Sequence, residues 1–156
     1  MQIYELTNIL FVYLYICIKI CRFVGKYMKQ IRIHGRGGQG VVTAAELIAI
    51  AAFNDGKEAQ AFPSFGVERT GAPIEAFARI GKNPIRTREH VYEPDVLIIQ
   101  DATLLNTVDV GHGADEHTEV IINTSKTKAE IAKLLPLKNI NCIDATRIAL
   151  DIIGKT

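Results

Sequence analysis

The chain has 156 residues, 48% of them hydrophobic and 22% charged, with a formal charge of +1. That length suits one domain with its own core, and the composition excludes a disordered chain. Near-neutrality removes the basic footprint expected of a nucleic-acid partner.

The N-terminal 27 residues stand apart. Lys19, Arg22 and Lys26 against Glu5 give them a surplus of positive charge, so the rest of the chain is close to neutral. Ile9 to Ile18 (ILFVYLYICI) is an unbroken apolar run. It is shorter than the ~20 residues a membrane-spanning helix needs, and its basic residues follow the run where a secretory signal would place them before it. The reading adopted is an upstream start ahead of the true one, with Met28 opening the domain; a peripheral membrane anchor is the alternative, and no membrane partner is expected. The domain is therefore read over residues 28–156.

Lys29 to His34 reads as a strand ending on the turn Gly35-Arg36-Gly37-Gly38-Gln39-Gly40. Val41 to Phe53 reads as an alanine-rich helix closed by Asn54-Asp55-Gly56, with Gly56 in the left-handed conformation. Glu58 to Phe62 is a second strand, followed by the loop PSFGVERTGAP from Pro63 to Pro73. Ile74 to Ile80 alternates, with Glu75, Phe77 and Arg79 on the face opposite Ile74, Ala76, Ala78 and Ile80, the period of a half-buried strand. EPDVLIIQD (Glu93 to Asp101) reads as a strand buried on both faces. TEVIINTS and NINCIDAT repeat its form, each leading into a helical segment, Lys128 to Leu135 and Arg147 to Ile153. Strands alternating with helices predict an α/β, Rossmann-like three-layer domain with a largely parallel sheet.

Gly35, Gly37 and Gly40 satisfy G-x-G-x-x-G between a strand and a helix. In a dinucleotide fold these glycines allow the tight turn, the approach to pyrophosphate and close packing at the positive helix end. The acid that should bind ribose at the end of the second strand is missing, because that end reads Gln60-Ala61-Phe62-Pro63 and Glu58 stands at the strand's beginning. A nest of N–H groups with Arg36 beside it remains, suited to a phosphate-bearing ligand. Turn geometry and packing alone are the plainer alternative.

Cys17 and Cys21 lie in the N-terminal stretch and only Cys142 in the body, so the domain has no internal disulfide, and a reducing, cytoplasmic location is expected. Too few thiolates are present for a cysteine-ligated iron–sulfur cluster or a cysteine-rich zinc site. His112, Asp115 and His117 have a spacing a metal loop could use, but GHGADEHTE has the composition of a solvated turn. Asp101 and Asp144 end apolar strands, where capping is favoured over ligand contact. Asn123-Thr124-Ser125 matches a glycosylation acceptor only in form.

GRGGQGVVTAAELIA together with FPSFGVERTGAPIEAFARI goes beyond generic spacing. The sequence resembles the gamma subunit, or gamma domain, of the 2-oxoacid:ferredoxin oxidoreductases over residues 28–154, including YEPDVLIIQDATLL. ERTGAP, Glu68 to Pro73, looks like the pyruvate version of its loop, which favours pyruvate:ferredoxin oxidoreductase (pyruvate synthase) over the 2-oxoisovalerate and 2-oxoglutarate enzymes. A free-standing nucleotide-binding module is the alternative from another class.

The resemblance implies one subunit of an oxidoreductase, inactive alone, working with alpha, beta and delta subunits and, through them, with ferredoxin. Thiamine diphosphate, Mg2+ and [4Fe-4S] clusters are implied in those partners, none in this chain, with coenzyme A as a substrate. It further implies a coenzyme-binding role for Gly35, Arg36, Gly37, Gly38, Gln39 and Gly40, with Arg69 and Thr70 of the loop near a substrate-side anion or a neighbouring subunit; Arg69 could instead pair with Glu68 or Glu75. No catalytic or metal-ligating residue is implied. Family members usually continue past the last helix into a further strand and helix, so the domain is expected to be C-terminally truncated.

Overall fold

The computed structural model describes residues 28–64 and 70–153. The apolar leader, Glu68 and Arg69 lie outside them. Six strands form one sheet: β1 (Met28–Arg36), β2 (Glu58–Pro63), β3 (Pro73–Gly81), β4 (Val96–Ile99), β5 (Glu119–Asn123) and β6 (Asn139–Ile143). Their spatial order is β2-β3-β1-β4-β5-β6. The pairs β1/β4, β4/β5 and β5/β6 are parallel, while β3 runs antiparallel to both β1 and β2. Five strands thus point one way and one the other, the largely parallel α/β sheet that the alternation of elements predicts.

Helix α1 (Val41–Asn54) covers one face. Its Val41, Ala44, Ala45, Ile48 and Ala52 pack with Ile31 and Ile33 of β1, Ala76, Ala78 and Ile80 of β3, and Val96 and Ile98 of β4. The buried alanines bring the helix backbone close to the sheet, and burying such a face supplies most of a helix's stability in a protein. The C-terminal stop is the one read from Gly56. That residue has φ 73°, and the amides of Gly56 and Lys57 donate to Phe53 and Ala52, a Schellman pair.

A second cluster lies on the opposite face. Leu97, Ile99, Val120, Ile122 and Ile140 pack there with Leu104 of a short 3-10 turn (Ala102–Asn106), Val110, and Ile131 and Leu135 at helix α2 (Lys128–Leu134). These two clusters make three layers. Helix α3 (Ala145–Ile153) follows β6, and Asn123 at the end of β5 holds its start: Oδ1 accepts from the Ala145 amide at 3.0 Å and Nδ2 donates to Thr146 Oγ1 at 3.3 Å.

Strand β3 departs from its half-buried expectation. Phe77 and Arg79 are both 1% exposed, although the alternation assigns them to a solvated face. The chain between β3 and β4 crosses that face without forming a helix. Phe77 stacks on His90 with ring centroids 5.0 Å apart, and Arg79 donates to the carbonyls of Glu89 and His90. Its neighbour on β1, Arg32, is 4% exposed and donates to the carbonyls of Val91, Val110 and His112. Two buried guanidiniums therefore tie two irregular segments down by backbone oxygens.

Candidate functional site

The glycine turn sits where the sheet's connections diverge. From β1 the chain turns through α1 towards β2 and β3, whereas β4, β5 and β6 extend the other way, so the crevice at the carboxyl ends of β1 and β4 is the topological switch point. β2 is separated from β1 by β3. The strand end that would carry a ribose-binding acid is therefore remote from the turn, a second reason beside the missing acid that the dinucleotide pattern lacks its confirming partner.

Each turn residue has a distinct place. A Cβ on Gly35 would lie 2.5 Å from Val41 Cγ2 and 3.0 Å from Gln100 Oε1, so only glycine lets the first turn of α1 pack this close. Gly38 and Gly40 have φ of 92° and 72°. The Gly37 amide donates to the Ala72 carbonyl at 2.9 Å, and the Gly71 amide returns a bond to Gly37 at 3.0 Å. Thr70 lies exposed at the start of that second turn. The glycine turn and the TGAP half of the second motif are thus joined backbone to backbone. The N-cap of α1 is Gly40, with no side-chain cap and no acidic residue in the first turn, so this helix end keeps its positive field.

Arg36, read as an anion ligand, has all three guanidinium nitrogens engaged within the chain. Nε donates to Asp101 Oδ2 at 2.9 Å, Nη1 to the Gly71 carbonyl at 3.0 Å and Nη2 to Thr103 Oγ1 at 2.9 Å. Gln39 spans the turn, its Oε1 accepting from the Arg36 amide at 2.8 Å and its Nε2 donating to Asp101 Oδ2 at 3.3 Å. Asp101 caps the 3-10 turn as its position suggests, Oδ1 accepting from the Thr103 amide at 2.9 Å. Its role in the turn was not legible. Burial is the largest influence on its carboxyl and works to raise the pKa; the hydrogen bonds from Thr103, Gln39 and Arg36 outweigh it and hold the group below its ordinary value.

Two buried polar groups beside the turn were not singled out by sequence. Gln100, 7% exposed, has neither amide atom hydrogen-bonded. His34, 2% exposed, has its Nδ1 3.5 Å from Glu75 Oε1 and its Nε2 without a partner. Burial first, then the charge of Arg32, push the imidazole pKa down to about 4.

The other candidate acids and histidines lie elsewhere. Asp144 caps α3, accepting from the Arg147 amide at 3.0 Å. Asp115 and His117 sit at the far end of the strands with Lys29, Asp95 and Thr118, around a hollow of about 570 Å3. Asp115 Oδ1 is occupied by the amides of His117 and Thr118. Among the described residues no group of three or more His, Cys, Asp or Glu is placed to hold a metal, and no helix is long and apolar enough to cross a membrane.

A family model for pyruvate ferredoxin/flavodoxin oxidoreductase matches residues 30–156. The chain belongs to this family. It is 58% identical over 127 residues to a pyruvate synthase subunit PorC of Methanosarcina barkeri, covering 81% of this chain and 69% of that protein. It is 55% identical over 129 residues to a common gamma subunit of the pyruvate/ketoisovalerate oxidoreductases of Thermococcus litoralis, covering 81% and 70%. Among solved structures, the pyruvate oxidoreductase subunit PORC of Thermotoga maritima superposes with a TM-score of 0.72 at 40% identity, covering 83% of this chain and 69% of that one. The family assignment accounts for the glycine turn and the second motif together, since both lie inside the matched residues.

Proposed function

We propose that this chain is the gamma subunit of a pyruvate:ferredoxin oxidoreductase, a complex that interconverts pyruvate, coenzyme A and oxidised ferredoxin with acetyl-CoA, CO2 and reduced ferredoxin. The observation that carries the reading is the 58% identity to a pyruvate synthase subunit across both motifs. In this proposal the thiamine diphosphate, Mg2+ and [4Fe-4S] clusters reside in alpha, beta and delta partners, and the assembly works in the cytoplasm. The chain's three cysteines are one short of the four thiolates such a cluster takes.

Within the complex, the glycine turn is proposed to receive coenzyme A. The uncapped N-terminus of α1, with left-handed glycines at 38 and 40, offers amide donors to a phosphate. Arg36, bonded to Asp101, Thr103 and Gly71 through three of a guanidinium's five N–H groups, is proposed to shape the turn as well as to lie beside the bound phosphate. Arg69 and Thr70 are proposed to face the bound coenzyme or the neighbouring subunit.

Affinity purification of the tagged chain from its native cells tests the assembly. Partners bearing thiamine diphosphate and iron–sulfur clusters should co-purify, with coenzyme A-dependent reduction of ferredoxin by pyruvate. Purification without such partners would sink the reading. The name of the Thermococcus litoralis relative favours one further possibility, a gamma subunit shared by two complexes. Two sets of larger partners, one reducing ferredoxin with pyruvate and the other with 2-oxoisovalerate, would establish it; one set would exclude it.

A further inference from the structure

The two side chains carried by the glycine turn itself, Arg36 and Gln39, meet one carboxylate. Asp101 Oδ2 accepts from Arg36 Nε and from Gln39 Nε2, whereas Oδ1 accepts from the amide of Thr103 at 2.9 Å and from its hydroxyl at 2.6 Å. That hydroxyl also accepts from Arg36 Nη2, so Arg36, Asp101 and Thr103 close a ring. From the ring, Arg36 Nη1 reaches the carbonyl of Gly71 in the second turn. The carboxylate itself is fixed by the sheet: the amide of the preceding residue, Gln100, donates to the His34 carbonyl at 2.8 Å and continues the β1/β4 pairing.

We propose that Asp101 is a positioning residue that, through Arg36 and Gln39, sets the glycine turn and the turn at Thr70–Ala72 against each other and thereby shapes the coenzyme site. The proposal rests on the reading of that turn as a coenzyme A site. Its geometric part stands apart from the ligand. The sheet places the acid, the acid places the guanidinium, and the guanidinium adds a side-chain tie between two segments that the end of the β1/β3 pairing and the paired bonds of Gly37 with Ala72 and Gly71 already bring together. A charge-assisted bond at the centre of such a chain is stronger than a neutral one, and side chains held on a rigid element are more reproducibly placed than those on loops.

The two carboxylate oxygens have separate tasks, which gives a selective variant. Asp101→Asn keeps an oxygen for the Thr103 amide but turns an NH2 group towards Arg36 Nε and Gln39 Nε2, setting donor against donors. The cap survives and the clamp is lost.

The test is hydrogen exchange followed by mass spectrometry on the assembled complex, with steady-state kinetics on the same sample. In D101N, peptides containing residues 35–40 and 70–73 should exchange about tenfold faster, while those of β5 and β6 keep their wild-type rates. The KM for coenzyme A should rise about tenfold with kcat changed by less than about twofold, the signature of lost positioning of a bound substrate. Thr103→Val, which removes the hydroxyl from the ring, should show the same pattern with a smaller amplitude. Unchanged exchange in the two turns overturns the proposal, and so does acceleration spread equally over β5 and β6. Faster exchange confined to the turns with an unchanged KM upholds the positioning role and counts against coenzyme binding at this turn.

Discussion

His34 and Glu75 face each other across the antiparallel pair β1/β3, with Nδ1 of the imidazole 3.5 Å from Oε1 of the carboxylate. The carboxylate does not keep the ring charged. Burial and the nearby Arg32 charge take the imidazole pKa down to about 4, so in the fold it is neutral over most of the acid range.

An acid-stability effect follows from that depressed value. Between about pH 4 and the ordinary value of 6.5, the unfolded chain holds a proton on this ring and the folded chain does not, so stability falls as the pH falls through that window. A shift of this size corresponds to about 3 kcal/mol over the whole window. Replacing His34 by Gln should flatten the slope of melting temperature against pH between 4 and 6.5 and leave the slope above pH 7 alone. Parallel profiles for the two proteins would show that other groups govern acid unfolding.

Two glycines in the turn should fail for different reasons. Gly35→Ala puts a methyl group 2.5 Å from Val41 Cγ2 and should cost about 1–3 kcal/mol by overpacking. Gly38→Ala meets nothing within 4 Å, and its φ of 92° should alone cost about 1–2 kcal/mol. Shortening Val41 to Ala should therefore recover part of the loss in the Gly35 variant and none in the Gly38 variant. Urea unfolding of the double variants measures both.

Arg79 is the larger risk to the fold. Replacing it with Met keeps much of the volume but leaves the carbonyls of Glu89 and His90 and the side-chain oxygens of Gln30 and Gln60 without this donor. It also removes a cation 5.1 Å from the centre of the Phe62 ring. A loss of about 2–4 kcal/mol is expected, with Arg79→Lys intermediate because a single ammonium cannot span all these acceptors. A midpoint of urea unfolding within error of the wild type would show that the segment between β3 and β4 holds by other means.

Asn123 should behave as a hinge pin between the sheet and α3. Its Nδ2 donates to the Gln100 carbonyl at 3.2 Å while its Oδ1 accepts from the Ala145 amide at 3.0 Å. Asn123→Ala should cost about 1–2 kcal/mol, and exchange should speed up first at the beginning of α3. Uniform acceleration along the chain would contradict that local role.

The parts of the fold legible in the sequence are those set by neighbours along the chain. The apolar run of β4, the alanines of α1 and the left-handed Gly56 each follow from spacing or from one residue's conformational freedom, and the strands and helices stand close to where those signals put them. What escaped is set by residues far apart. Arg79 looks solvated because its carbonyl acceptors lie at 89 and 90, and the burial of Arg32 is equally unmarked because its acceptors lie at 91 and at 110–112; no local period marks a backbone oxygen as a future partner. The insertion of β3 between β1 and β2 is likewise a matter of pairing that alternation cannot register. At the site, proximity in sequence made Arg36 a ligand candidate, while its carboxylate partner is 65 positions away.

Because Arg32 and Arg79 grip main-chain oxygens, these particular bonds depend on the path and spacing of the segments they hold and not on the side chains of the residues that carry the carbonyls. A substitution at Glu89, His90 or His112 leaves its carbonyl in place, whereas adding or deleting one residue there displaces several acceptors together. Outside the packed His90, Val91 and Val110, the segments beneath the sheet should therefore vary in composition more readily than in length, with the arginines changing least.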